Sequence, residues 1–141
     1  MLEPQHKQTL TALTLSIDIF LLYVLYRVPF NIKDKIWIYT VLVSHVIFLH
    51  ALYTDNRTTL DLIHPLIFIL PFLSLFATNI WIKTISAILL IIIQLLWIKE
   101  NKCILNEKTT EFGYGDELAF ATLITTSLLC LNIGYKANKK L

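Results

Sequence analysis

Residues 81–98 read WIKTISAILLIIIQLLWI, an apolar run with a Trp at or near each end. From Ile85 to Trp97 the run is apolar on nearly every side, and Ser86 and Gln94 are the exceptions. A hydrocarbon core of roughly 30 Å is crossed by about 20 helical residues. Indole rings favour the headgroup level of a bilayer. The run therefore predicts a transmembrane helix and sets the interpretation of the rest of the chain.

Four further apolar stretches accompany this run, at about 9–28, 36–54, 62–77 and 117–135. Hydrophobic residues make up 56% of the 141 residues and charged residues only 16%, whereas a soluble domain of this size is about half apolar. Most of the charged residues lie between the stretches. We therefore expect an all-α integral membrane protein, a single transmembrane domain over residues 1–141 built as a bundle of five transmembrane helices.

The third stretch, 62–77, is the shortest and contains Pro65 and Pro71. A proline inside a helix removes a backbone hydrogen bond and kinks the helix. One helix over 62–98 would be about 55 Å long, so a turn is expected at 77–79. We expect a short, kinked third span. The alternative is a re-entrant or interfacial element, which would leave four spans.

The distribution of Lys and Arg predicts the orientation, because these residues favour the cytoplasmic side. With five spans, the loops and the terminus on one side carry Arg27, Lys33, Lys35, Lys83, Lys136, Lys139 and Lys140. The other side carries Lys7, Arg57, Lys99, Lys102 and Lys108. We therefore expect the N-terminus outside and the C-terminus on the cytoplasmic or matrix side.

Two ionisable residues, Asp18 and His45, lie near the middle of the first and second stretches. A carboxylate inside a bilayer is costly and normally faces the interior of a bundle or water. Asp18 shares a helical face with Thr11 and Thr14, and it lies at a depth similar to that of His45. The two residues are therefore candidates for a proton-carrying or ion-coordinating pair. The alternative is a structural polar clamp between two helices.

A second group of candidates lies near the predicted outer interface: His50, Asp61 and His64. Histidine with a carboxylate suits a divalent metal, and two histidines on adjacent helices suit haem. Asp61 is equally well interpreted as a first-turn acid that is favoured by the helix dipole.

The loop before the last stretch contains Phe112-Gly113-Tyr114-Gly115-Asp116. This segment resembles the potassium-channel filter Thr-x-Gly-Tyr-Gly-Asp. Glu111 stands where the filter threonine belongs, and the preceding residues are too charged for an apolar pore helix. We judge the resemblance coincidental. The alternative is a glycine-containing turn that starts the last helix, with Asp116 as its N-cap.

The same loop contains Cys103-Ile104-Leu105-Asn106-Glu107 directly after a predicted span. It resembles a loop of small uncharacterised multi-span membrane proteins, in which Cys-x-Leu-Thr/Asn with a nearby acid follows a membrane helix. The resemblance implies a multi-span fold and no particular activity. The loop candidates are Cys103, Glu107, Tyr114 and Asp116.

These observations favour a structural or accessory subunit of a larger membrane assembly, without enzymatic activity. Two alternatives stay open: a channel or ion-coupled carrier that uses Asp18 and His45, and a membrane redox or metal or haem protein that uses His50 and His64. No cofactor is predicted for the favoured interpretation. The expected partners are the lipid bilayer and other membrane subunits or further copies of the chain. Nucleic acid is not expected, because the sequence has no polybasic block.

Overall fold

The computed structural model describes residues 3–100 and 115–138, with the backbone alone at residues 100 and 115–119. Over these ranges the chain is helical and contains no strand. The elements are α1 (Pro4–Arg27), α2 (Ile32–Tyr53), α3 (Arg57–Ile63), α4 (Leu66–Leu73), a 3₁₀ turn (Ser74–Phe76), α5 (Ile80–Glu100) and α6 (Gly115–Asn138).

Four helical segments are long and apolar enough to cross a membrane. They are Pro4–Arg27, Ile32–Tyr53, Arg57–Phe76 and Ile80–Lys99. The predicted all-helical class is confirmed. α6 covers the fifth predicted stretch and is not among the four, so the fifth span stays a prediction.

The first two helices extend beyond the apolar stretches because polar residues and prolines define their ends. α1 has Pro4 at its first turn, where a missing N–H costs little, and it ends before Val28, which is extended because Pro29 follows. α2 starts after Asn31, whose side chain accepts a hydrogen bond from the backbone N–H of Asp34 at 2.8 Å.

The third stretch is divided rather than continuous. α3 ends at Ile63, and α4 begins at Leu66, after Pro65. The helical segment starts at Arg57, earlier than predicted from hydropathy. α3 has no acid in its first turn, so the interpretation of Asp61 as a first-turn acid is wrong. The capping residue is Asn56, whose side chain accepts from the backbone N–H of Thr59.

Pro71 lies inside α4, and the helix tightens into the 3₁₀ turn three residues later. Just before this proline, the carbonyl of Leu70 accepts a hydrogen bond at 2.9 Å from the indole Nε1–H of Trp37. A neighbouring helix thus binds the backbone next to the proline, although the carbonyl that Pro71 leaves without its helical donor is that of Ile67, four residues earlier. The chain turns at 77–79, as expected, and α5 follows.

Packing contacts divide the chain into two compact units, residues 1–70 and 71–141. In the first unit, α1 packs on α2, and α2 packs on α3. In the second, α5 packs on α6, and both helices contact the 3₁₀ turn. The core of the second unit contains Ala87, Leu90 and Leu129. The interpretation of residues 1–141 as a single domain stays a prediction.

Candidate functional site

Asp18 and His45 lie in contact in the first unit. The Oδ1 atom of Asp18 is 2.6 Å from Nδ1 of His45, and the two side chains are only 15% and 18% exposed. The connection between α1 and α2 is short, which makes consecutive helices antiparallel neighbours and brings the two residues together. The structure therefore joins the two residues whose similar depth was predicted from sequence.

The chemistry of this pair follows from the ring nitrogen involved. A carboxylate oxygen accepts from Nδ1–H, whether the imidazole is neutral in that tautomer or fully protonated. The second ring nitrogen, Nε2, and the second carboxylate oxygen, Oδ2, form no hydrogen bond with any residue that the structure describes. The Asp18 carboxylate thus orients the ring of His45 through Nδ1.

Two hydroxyls near the pair in sequence, those of Thr14 and Ser44, are used by their own helices. Thr14 donates to the carbonyl of Leu10 at 2.8 Å, and Ser44 donates to that of Thr40 at 2.8 Å. Such i−4 bonds are the usual solution for hydroxyls inside helices. The hydroxyl hydrogens of Thr14 and Ser44 therefore do not extend the pair into a longer hydrogen-bonded chain.

The metal and haem candidates are placed separately. His50 is exposed in the last turn of α2, Asp61 is exposed in α3, and His64 caps the C-terminus of α3 beside the ring of Phe68. Within residues 3–99 and 120–138, no three His, Cys, Asp or Glu side chains come together as a metal-binding group. The structure thus does not bring His50, Asp61 and His64 together as one ligand set.

The loop candidates lie outside the described residues. This applies to Cys103, Glu107 and Tyr114 entirely, and to the side chain of Asp116. α6 begins at Gly115, so the backbone of Asp116 lies within its first turn. The N-cap is the residue before the first helical one, so the predicted N-cap, Asp116, lies two residues too late for the observed helix start.

An ion pair that the sequence did not predict ties the start of α1 to the turn after α2. Lys7 Nζ lies 2.6 Å from Oδ1 of Asp55. Asp55 has a left-handed backbone with a φ of 54°, a conformation that aspartate tolerates better than most residues. The only sequence signal was one basic and one acidic residue on the same predicted side of the membrane.

A second unpredicted contact holds α5 against its neighbours. Lys83 is only 3% exposed, and its Nζ donates to the carbonyl of Leu75 at 2.9 Å and to Oδ1 of Asn132 at 2.8 Å. Lys136 Nζ donates to the carbonyl of Thr78 at 2.9 Å. Two lysines thus satisfy backbone carbonyls at and just after the 3₁₀ turn, where helical partners are missing.

A further polar contact joins α5 and α6. The amide Nε2 of Gln94 donates to Oγ1 of Thr126 at 3.2 Å, and Thr126 donates to the carbonyl of Thr122 at 2.7 Å. Together with the bond between Lys83 and Asn132, this contact attaches α5 to α6 at two polar positions.

Comparison with protein-family models, with curated proteins and with solved structures finds no match for the chain. The functional interpretation therefore rests on the fold and on these contacts.

Proposed function

We propose that this chain is a five-span membrane protein that serves as a structural or accessory subunit of a larger membrane assembly. The observation that supports this most is the low burial of the candidate spans. In the four candidate spans, only 22%, 33%, 28% and 28% of the apolar 18-residue part of each span is buried within the chain. The remaining surface of each span needs lipid or another protein to cover it.

The polar residues inside the spans support the same proposal. Asp18 with His45, Lys83 with Asn132, and Gln94 with Thr126 all join one helix to another. Transporters commonly expose several polar groups to a substrate site near the midplane, on interrupted helices. In this chain the polar groups instead act as clamps between helices, each worth about 1 kcal/mol.

Lys and Arg counts favour an N-terminus outside and a C-terminal tail inside, because seven of twelve basic residues then lie on the inner side. In this arrangement α6 is the fifth span. Both features belong to the proposal.

Co-purification tests the subunit role. The chain, tagged at its C-terminus, is extracted from its native membrane in a mild detergent and sized by gel filtration with mass spectrometry of the fractions. We expect the chain in a complex with at least one other integral membrane protein, in a fixed ratio. A tagged, unrelated multi-span protein extracted in parallel controls for non-specific capture. Elution as an isolated monomer that retains its full thermal stability would contradict the proposal.

A second candidate function is proton or ion coupling by Asp18 and His45. The observation that favours it is the 2.6 Å contact between Asp18 and His45, in which Nε2 and Oδ2 are left without a described partner. Paired ionisable groups within membrane helices are a recurrent feature of proton relays. The two candidate functions predict different effects of removing the Asp18 carboxylate.

Substitution of Asp18 by Asn and by Leu separates the candidates. If the pair is a clamp, Asp18→Asn keeps a hydrogen bond and costs little, whereas Asp18→Leu costs about 1 kcal/mol and the loss vanishes in a His45→Leu background. Unfolding in detergent measures both values. Proton flux into liposomes loaded with a pH-sensitive dye then tests coupling. A wild-type flux that Asp18→Asn abolishes without loss of stability would favour the carrier over the clamp.

A further inference from the structure

The turn between α1 and α2 carries three exposed cations. Arg27 ends α1, and Lys33 and Lys35 lie in the first turn of α2. None of the three forms an ion pair with a residue that the structure describes. The acid between the two lysines, Asp34, is only 2% exposed. The charge accessible at this turn is therefore positive, although the sequence alternates in sign.

The position of the lysines is unfavourable unless an anion is nearby. The N-terminus of a helix carries a partial positive charge, which favours anions and disfavours cations. Lys33 and Lys35 stand at this end of α2, where an exposed acid would normally be expected. An external negative group would relieve this repulsion.

Apolar and aromatic side chains surround the cations. Ile32 and Ile36, spaced four residues apart beside the lysines, are exposed, and so are Tyr23 and Tyr26 of α1. The guanidinium of Arg27 lies 5.9 Å and 5.8 Å from the centroids of the two tyrosine rings. This combination of cations with exposed apolar surface fits a ligand that has both an anionic group and hydrocarbon chains.

We propose that Arg27, Lys33 and Lys35 form a binding surface for the headgroups of anionic phospholipids. The cations meet the phosphate, and Ile32 and Ile36 meet the acyl chains. The inference rests on the membrane embedding of the proposed function but not on the subunit role. A soluble phosphate would use the cations alone and would leave the apolar flank without a role.

Lipid titration followed by native mass spectrometry tests the surface. The purified chain in detergent is titrated with phosphatidylglycerol and, separately, with phosphatidylcholine. We expect wild type to bind phosphatidylglycerol more tightly than phosphatidylcholine. Lys33→Gln should bind phosphatidylglycerol about fivefold more weakly, because one cation near an anionic surface changes the affinity by about that factor. Lys33→Arg should retain the affinity. The triple variant Arg27→Gln, Lys33→Gln, Lys35→Gln should lose the preference for phosphatidylglycerol.

The matched control is Lys99→Gln, which removes an exposed lysine at the end of α5 and should leave lipid affinity unchanged. Equal binding of the two lipids, an equal loss in the Lys99→Gln control, or full displacement of phosphatidylglycerol by inorganic phosphate would overturn the proposal. Alkaline extraction of wild-type membranes separates a failure of membrane embedding from a failure of the headgroup surface. Release of the chain would reject membrane embedding itself, whereas retention with equal lipid binding would reject only the headgroup surface.

Discussion

At the scale of single residues, nine helical hydroxyls follow one rule, and the buried hydroxyl of Ser86 does not. Each of the nine donates to the carbonyl four residues earlier: Thr9, Thr14, Ser16, Thr40, Ser44, Thr84, Thr125, Thr126 and Ser127. The Oγ of Ser86 has no hydrogen-bond partner among the described residues. An unsatisfied buried hydroxyl opposes folding, since its desolvation is not compensated.

Ser86→Ala should therefore raise the free energy of unfolding in detergent, by about 1 kcal/mol, since it removes an uncompensated polar atom and leaves almost no cavity. Ser74→Ala is the control. Ser74 is equally buried, but it donates to the carbonyl of Pro71, so its loss should destabilise the protein. Thermal unfolding of the two variants beside wild type measures both shifts. A loss of stability in Ser86→Ala would show that the hydroxyl has a partner.

At the scale of elements, the third stretch remains helical on both sides of a proline and is bound to a neighbouring helix next to it. α4 contains Pro71, and the carbonyl just before this proline receives the indole N–H of Trp37. Trp37 lies at the start of the second apolar stretch, a position at which an indole is expected to reach the headgroups. The structure shows that its N–H is used inside the protein, since Leu70 is its acceptor.

Trp37→Phe should lower the free energy of unfolding by about 1 kcal/mol, because the ring stays apolar while the carbonyl of Leu70 loses its donor. The matched control is Tyr53→Phe, which removes one donor from an exposed aromatic ring and should cost almost nothing. Denaturant unfolding of the two variants in the same detergent measures both effects. Equal stability of the two variants would mean that the indole bond contributes nothing.

The elements were predictable where an apolar run sets their length, and their ends were not. Five apolar stretches predicted the helices, yet Asn31 and Asn56 determine where two of them begin, through single capping hydrogen bonds. The proximity of Asp18 and His45 followed from similar depth on adjacent helices. The burial of Lys83 did not follow, because a lysine near a span end is accommodated equally well by headgroups or by a carbonyl and an amide.

At the scale of the whole molecule, the number of spans determines the sides on which the termini lie. Five spans place the two ends on opposite sides of the membrane. Epitope tags at each end, probed with protease or antibody in sealed and in permeabilised vesicles, should respond oppositely. Protection of both tags under the same condition would mean that one predicted span does not cross.

Labelling at two further positions shows whether the third stretch is the span that does not cross the membrane. In these variants Cys103 and Cys130 are replaced by serine. Single cysteines introduced by Thr54→Cys and Thr78→Cys then flank the helical segment Arg57–Phe76, which covers most of the third stretch. An impermeant thiol reagent should label them from opposite sides if the stretch crosses. Labelling from the same side would identify it as re-entrant. Opposite labelling combined with termini on one side would instead assign the failure to another stretch, α6 first among them.

The contacts between consecutive helices also determine when each charged group acquires its partner during synthesis. If the chain is inserted as it leaves the ribosome, His45 is synthesised 27 residues after its partner Asp18, whereas Asn132 is synthesised 49 residues after its partner Lys83. At roughly 5–20 residues per second these intervals are about 1–5 s and 2–10 s. The first hairpin can therefore close while the second is still being translated. Lys83 therefore lacks its amide partner for about twice as long as Asp18 lacks His45.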